Sequence, residues 1–256
     1  MNEPPTASAM PSTRGTVLLF HGLTSSPEEL TSLRDALVHS RFSVGTPPLA
    51  GHTDIEALRR TRLETWLGEA TAAVECVQSD SPLFIGGLSF GALLSLALVL
   101  QGPRRPPISG LILLAPPFRL RRRFDEGRLN LLSRLPEDIL DKLGTRKKDS
   151  NREKRLVLPR RCLGEHSIAS AVRMAKLRTR LKPLLPALTV PTIIVQDPHD
   201  HLVDPDGVDP FIEAAEHAEV DTIWLPGAEH ELTLGPRHEE VSHAVIEFLN
   251  RLCLAK

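Results

Sequence analysis

The sequence predicts an α/β protein built on a mostly parallel, doubly wound sheet of about six strands. Short apolar runs of the kind that is buried on both faces of a sheet alternate with amphipathic, helix-like segments. The alternation stops after the fourth run and later resumes, which predicts a core formed by two parts of the chain. The six runs lie near residues 15–20, 42–46, 82–88, 108–114, 190–195 and 220–225.

The interruption covers residues 119–188, where no strand is predicted. Short amphipathic helices are expected near 126–134, 137–143 and 168–181, joined by basic loops. We therefore expect an α/β core over residues 15–118 and 189–256, with a helical cap inserted at 119–188. Residues 1–14 are rich in Pro, Ser and Thr and are predicted to form a disordered tail.

The inserted segment is basic, although the chain as a whole has a net charge of −1. Between Arg119 and Lys182 there are 20 Lys or Arg residues against 8 Asp or Glu residues. Two interpretations stay open: the charges keep a helical cap solvated, or they recruit an anionic partner such as a lipid surface or an acyl carrier. The near-neutral total gives no reason to expect nucleic acid as a partner.

The sequence predicts neither export nor membrane insertion. Residues 1–14 lack the apolar run of a signal peptide, and the longest apolar stretch, 92–100, is far too short to span a bilayer. Cys76, Cys162 and Cys253 are odd in number and widely spaced, which predicts neither a disulfide framework nor a zinc site. We expect a soluble, cytoplasmic protein.

A Gly-x-Ser-x-Gly motif from Gly87 to Gly91 lies between the third predicted strand and a helix. This context predicts a nucleophile elbow, in which small neighbours allow the sharp turn that exposes Ser89. A serine hydroxyl is a weak nucleophile and needs a base that is oriented by an acid. The alternative is a glycine-rich turn with an idle serine.

The candidate acid and base follow the last two predicted strands, in the order that an elbow serine requires. His230 comes after a Pro-Gly-Ala-Glu segment directly behind the last strand and is the predicted base. The loop before it holds three carboxylates, of which Asp200 is the predicted acid and Asp197 and Asp204 are the alternatives. The two histidines that flank Asp200 are expected to be solvated.

The oxyanion that forms in acyl transfer needs preorganised hydrogen-bond donors. The residue after the nucleophile supplies one backbone N–H, here Phe90, and the loop after the first strand supplies the other, here Leu23. His21 in that loop is expected to have a structural role. Ser26 and Glu29 predict a capping box at the start of the next helix.

Six segments together carry a resemblance to a known family. They are Phe20-His21-Gly22-Leu23-Thr24-Ser25-Ser26-Pro27-Glu28-Glu29-Leu30, Pro48-Leu49-Ala50-Gly51-His52, Glu64-Thr65-Trp66, Gly86-Gly87-Leu88-Ser89-Phe90-Gly91, Asp200-x-x-Val203 and Pro226-Gly227-Ala228-Glu229-His230. They resemble the α/β-hydrolase superfamily, and more narrowly the bacterial carboxylesterase and monoacylglycerol-lipase-like group of serine-aminopeptidase-like hydrolases. Over residues 15–118 and 189–253 the resemblance implies an α/β-hydrolase fold with a helical cap. It also implies a Ser89–Asp200–His230 triad and oxyanion donors at Leu23 and Phe90.

The resemblance implies a hydrolase of short- or medium-chain carboxylic esters or monoacylglycerols, acting through an acyl-enzyme on Ser89 without a metal or cofactor. The alternative enzyme is an acyl thioesterase or lysophospholipase with the same triad. The alternative of another class is a non-catalytic ligand-binding protein of the same fold. Two residues depart from the family's pattern: Thr53 replaces a usual glycine in the second loop, and Asp197 replaces a usual glycine three residues before the acid.

Overall fold

The centre of the fold is a six-stranded sheet in which all neighbouring strands are parallel. The computed structural model describes residues 13–77, 81–102, 106–121, 123–147 and 163–254. The strands are β1 Thr16–Phe20, β2 Ser43–Gly45, β3 Leu83–Leu88, β4 Ile108–Leu114, β7 Thr192–Gln196 and β8 Val220–Trp224. Their order across the sheet is β2-β1-β3-β4-β7-β8, so the predicted parallel, doubly wound sheet is confirmed.

Helices cover both faces of this sheet. The final helix α9 and helix α1 pack together on one face, where Val17 and Leu19 of β1 point. Helices α3, α4 and α7 pack on the other face with Leu18 and Phe20 of the same strand. The helices are α1 Thr31–His39, α2 Ile55–Arg60, α3 Leu63–Glu75, α4 Phe90–Gln101, α5 Arg123–Leu132, α6 Glu137–Leu140, α7 Ile168–Leu181, α8 Val208–Ala214 and α9 His238–Leu254.

Three short elements were not expected from the sequence. Strands β5 Thr145–Lys147 and β6 Glu165–Ser167 form a small antiparallel sheet, so the prediction of a strandless segment at 119–188 is wrong. Helix α2 lies between residues 53 and 64, where the sequence predicts no element. Its start has a clear local cause, since the Asp54 side chain caps it by accepting the N–H of Ala57 at 2.8 Å.

The predicted disordered tail lies outside the described residues as far as residue 12. Arg14 does not fit that prediction, because its backbone N–H donates to Arg41 O at 2.9 Å and its guanidinium donates to Asn250 Oδ1 at 2.7 Å. Cys162 and the basic stretch at 148–161 also lie outside the described residues. Within the described parts of the chain, no helix combines the length and the apolar character needed to cross a membrane.

The first residues of the inserted segment pair with the loop that follows β7. Asp204 N–H donates to Arg119 O at 2.9 Å and Arg121 N–H donates to Leu202 O at 3.0 Å, which makes a short antiparallel bridge. The Arg119 guanidinium also pairs with Asp204 at 2.6 Å. Because the same loop carries Asp200, the start of the insertion is tied to a candidate site residue.

An ion-pair network links helices α6 and α7 to each other and to the residue before α3. The fully buried side chain of Arg173 in α7 bonds Glu137 of α6, whose Oε2 lies 2.8 Å from its Nε, and Asp141 just after that helix. Arg62, just before α3, reaches the same two carboxylates. Hydrogen bonding to Arg62 lowers the pKa of Asp141 to about 2, against the opposing effect of desolvation.

Replacing Arg173 by Ala removes the buried member of this network. We expect Arg173→Ala to lower the free energy of unfolding by about 3 kcal/mol, because two partly buried carboxylates lose a partner while Arg62 still pairs with both. Urea unfolding measures the change. The matched control is Arg180→Ala on the exposed side of the same helix, which should change stability by less than about 0.5 kcal/mol. Equal losses of unfolding free energy in the two variants would contradict a stabilising role for the Arg173 ion pairs.

Candidate active site

Ser89 lies at the sharp turn between β3 and α4. Its φ of 55° and ψ of −112° are strained for a residue with a side chain. The turn is held because Ser89 N–H donates to Leu114 O, at the end of the neighbouring strand β4, at 2.8 Å. The backbone geometry is that of the predicted elbow, and the serine is half-buried.

The two motif glycines are required by close approach to β1. A Cβ atom on Gly91 would lie 1.9 Å from Phe20 O, and one on Gly87 would lie 2.4 Å from the same oxygen. Only glycine fits at such distances. The absence of these side chains lets the end of β1, and the loop that carries Leu23, pack directly against the serine turn.

Asp200 is buried in the loop after β7, and both of its carboxylate oxygens are occupied. Oδ1 accepts the N–H groups of Leu202 at 2.7 Å and Val203 at 3.0 Å. Oδ2 accepts the side chains of His230 at 2.7 Å and Gln196 at 3.2 Å. Burial raises the pKa of Asp200, but the charge and hydrogen bond of His230 and the two backbone donors outweigh it and lower the pKa to about 2.

His230, in the loop after β8, is the partner of this carboxylate. Since Asp200 is ionised at neutral pH, it holds the proton of His230 on Nδ1. Nε2 is then the basic nitrogen, which is the arrangement that a general base needs. Of the three carboxylates that the sequence offered, Asp200 is therefore the one that bonds His230. Asp204 pairs with Arg119 instead.

The serine, acid and histidine segments all leave the carboxyl ends of parallel strands. Backbone hydrogen bonds connect these ends in a row: Ala115 N–H donates to Val195 O and Leu225 N–H donates to Gln196 O, each at 2.9 Å. The topology thus brings the loops of Ser89, Asp200 and His230 to one edge of the sheet, where open α/β proteins carry their sites.

The loop with the predicted oxyanion donor Leu23 is oriented by a buried carboxylate. Glu29 accepts the backbone N–H of Gly22, the residue before Leu23. The predicted capping box is wrong: the Ser26 side chain makes no cap hydrogen bond, and the Glu29 side chain turns to this loop. The other predicted donor, Phe90, is the first residue of α4, where a backbone N–H has no partner within the helix.

His21 joins this loop to the second loop of the core. Its Nδ1 bonds Gly22 O at 3.0 Å, and its Nε2 accepts Leu49 N–H at 3.3 Å, which fixes the neutral tautomer. Burial lowers the pKa of His21 to about 4, and it lowers that of His52, whose ring lies edge-on 4.6 Å away, to about 4 as well. The structural role that the sequence predicted for His21 fits these contacts.

The histidines that flank Asp200 differ from one another. The His199 side chain is 76% exposed, as predicted. The prediction that His201 is solvated is wrong, because its side chain is 19% exposed and its ring lies 6.0 Å from that of His230 in an edge-on contact.

Three polar contacts to the site were not recognised from the sequence. Gln196 donates to Asp200 Oδ2, Arg121 donates to Asp200 O at 2.9 Å, and Asp197 accepts the N–H of Glu229 at 2.8 Å. Asp197 gave the only sequence signal for any of these contacts, because it occupies a position where the family that the chain resembles usually has glycine. The other two contacts depend on the tertiary fold alone.

The sheet order, the strained serine turn and the Asp200–His230 pair define an α/β-hydrolase. Comparison with known proteins identifies the family within this class. A family model described as "Serine aminopeptidase, S33" matches residues 11–237, and the chain belongs to that family.

Characterised relatives carry the names of ester hydrolases. The chain is 25% identical over 236 residues to a thermostable monoacylglycerol lipase of Bacillus sp. (strain H-257), covering 91% of this chain and 89% of the relative. It is 22% identical over 240 residues to a carboxylesterase of Bacillus subtilis (strain 168), covering 92% of each. A solved monoglyceride lipase of Saccharomyces cerevisiae has a TM-score of 0.77 at 20% identity, over 97% of this chain and 90% of that one. The predicted fold and family resemblance are confirmed.

A substitution at Gly91 tests the close approach of the serine turn to β1. Gly91→Ala would force a methyl group into Phe20 O, so we expect it to lower the free energy of unfolding by about 3 kcal/mol. Urea unfolding measures the loss. The control is Gly68→Ala in α3, where a Cβ meets nothing within 4 Å. That variant should gain about 0.5–1 kcal/mol from helix propensity. A Gly91→Ala variant as stable as the wild type would show that the close approach is not real.

Proposed function

We propose that the protein is a serine hydrolase of carboxylic esters, with short- or medium-chain acyl esters or monoacylglycerols as substrates. The observation that carries the proposal is the buried, fully hydrogen-bonded Asp200 on Nδ1 of His230, at the same sheet edge as the elbow serine. The relatives named monoacylglycerol lipase and carboxylesterase support the same reaction class.

In the proposed reaction, Ser89 Oγ attacks the ester carbonyl while His230 Nε2 takes its proton. The N–H groups of Leu23 and Phe90 stabilise the oxyanion. His230 then gives the proton to the leaving alcohol, and the acyl group stays on Ser89. Water that is deprotonated by His230 releases the carboxylic acid and restores the serine. Asp200 fixes the imidazole and stabilises its charge throughout.

The segment 119–188 acts in this proposal as the cap of the core formed by 15–118 and 189–256. Helix α7 packs on α4, the helix that follows Ser89, and Met174 and Leu177 belong to the same apolar cluster as Phe90. Leu163 N–H also donates to Thr24 O, in the oxyanion loop, at 2.9 Å. A cap at this position would exclude water from the reacting carbonyl and limit the acyl length.

Ser89→Ala tests the nucleophile. A fluorophosphonate probe should label the wild type, and the variant should lose both the labelling and ester turnover, with kcat falling on the order of 10⁶-fold because no acyl-enzyme can form. The control is Ser43→Ala, an exposed serine of β2, which should be labelled like the wild type. Folded wild-type protein that takes up no probe would favour a non-catalytic ligand-binding protein.

The same preparation distinguishes the alternative enzymes. Nitrophenyl esters and acyl thioesters of equal chain length should be compared by kcat/KM, together with a monoacylglycerol and a lysophospholipid. The proposal expects the oxygen esters to be cleaved best. Turnover of thioesters alone would identify an acyl thioesterase with the same triad, and turnover of the lysophospholipid alone would identify a lysophospholipase.

We further propose that the exposed side of the cap binds an anionic lipid surface. Leu131 and Ile139 are 65% and 41% exposed there, and the exposed cations Arg128, Arg134 and Lys142 lie in the same two-helix segment. Apolar side chains among cations suit the headgroup region of a membrane better than an acyl carrier, which offers charge alone. The cytoplasmic location stays a prediction.

Vesicle pelleting tests this surface. The protein should bind vesicles that contain phosphatidylglycerol, not neutral ones, and high salt should release it. The double variant Arg128→Gln/Arg134→Gln should bind about 10- to 30-fold more weakly, at roughly 1 kcal/mol per cation. The control Arg34→Gln/Arg251→Gln removes two charges from α1 and α9 on the opposite face of the sheet and should bind like the wild type. Equal binding to neutral vesicles, or none, would exclude the lipid surface.

A further inference from the structure

The loop after β7 contains a second buried carboxylate besides Asp200. Asp197 is only 2% exposed, and each of its oxygens accepts a backbone N–H. Oδ1 accepts that of His199 at 2.8 Å, within the loop, and Oδ2 accepts that of Glu229 at 2.8 Å, in the loop after β8. Asp197 is therefore a direct connection between the two loops, separate from the bond between Asp200 and His230.

The far end of this connection is a strained peptide. Glu229 has a φ of +68°, in the left-handed region that residues with side chains avoid, and Gly227 in the same loop has a φ of +80°. Such a conformation persists only where surrounding contacts determine it. The bond from Asp197 fixes the N–H of Glu229, and the next residue in the chain is His230.

A second charged side chain contacts the same loop. Arg237 donates to Pro226 O at 3.0 Å, and its guanidinium pairs with Glu240. Two charged groups thus act on the segment between β8 and His230. A glycine at position 197, which the resembling family usually has, could accept neither the N–H of His199 nor that of Glu229.

We propose that Asp197 is a positioning residue, which holds the loop of His230 so that the imidazole meets Ser89 in the geometry for proton transfer. The inference rests on the proposed function, because it assigns His230 as the base. Asp197 touches neither substrate nor reacting atoms. Its effect passes through Glu229 to the orientation of the His230 side chain, to which proton transfer is sensitive.

Two substitutions of Asp197 weaken its hydrogen bonds to different degrees. Asp197→Ala removes both acceptors, whereas Asp197→Asn keeps one carbonyl oxygen and so can retain one of the two hydrogen bonds. We expect kcat to fall about 10- to 100-fold in Asp197→Ala and by an intermediate factor in Asp197→Asn, with KM within about twofold of the wild type in both. The control is Asp209→Asn, an exposed carboxylate at the start of α8, which should leave kcat unchanged.

The kinetics should be expressed per site titrated with a fluorophosphonate probe, so that a smaller folded fraction does not imitate a loss of kcat. An unchanged kcat per titrated site in Asp197→Ala would overturn the inference, and so would a rise in KM alone. Loss of the native fold in both variants would show that Asp197 serves stability and would also overturn it. A wild type that is not labelled would instead remove the proposed function itself.

Discussion

The site depends on one close contact, the approach of the β1 carbonyl at Phe20 to the glycines of the serine turn. This contact brings the loop of Leu23 against the turn from one side. From the other side, the backbone bond from Ser89 to Leu114 begins a row of such bonds that continues through β4, β7 and β8. Main-chain hydrogen bonds along one edge of the sheet therefore hold the segments that carry the candidate site residues.

Buried carboxylates orient the loops at this edge of the sheet. Glu29, Asp197 and Asp200 all accept backbone N–H groups from loops at this edge. Each such bond satisfies a buried charge and fixes a loop peptide, and charge-assisted bonds of this kind are stronger than neutral ones. Between residues 119 and 188 the ionic contacts join helices to each other instead. Arg173 and Lys176 of α7 both bond Glu137 of α6, so part of the basic excess is used within the protein and not offered to a partner.

The sequence predicted the strands and turns that depend on local patterns of residues. Continuous apolar runs indicated the six strands, and the glycines around Ser89 indicated the turn, because few other residues fit it. It failed where a tertiary contact overrides the local preference. Ser26 and Glu29 have the spacing of a capping box, yet Glu29 gains more from the Gly22 N–H. The basic stretch at 145–147 reads as a loop but finds a partner strand at 165–167. No local rule indicates that Asp197 reaches a residue 32 positions away.

The bridge between residues 119–121 and 202–204 bears on how such a protein can be re-engineered. By topology the insertion begins after Phe118, but by hydrogen bonding its first three residues belong to the loop of Asp200. A graft of another protein's cap that begins at residue 119 would thus remove Arg121 from the carbonyl of Asp200. A junction placed after residue 121 would exchange the rest of the segment and leave the hydrogen bond from Arg121 to Asp200 intact.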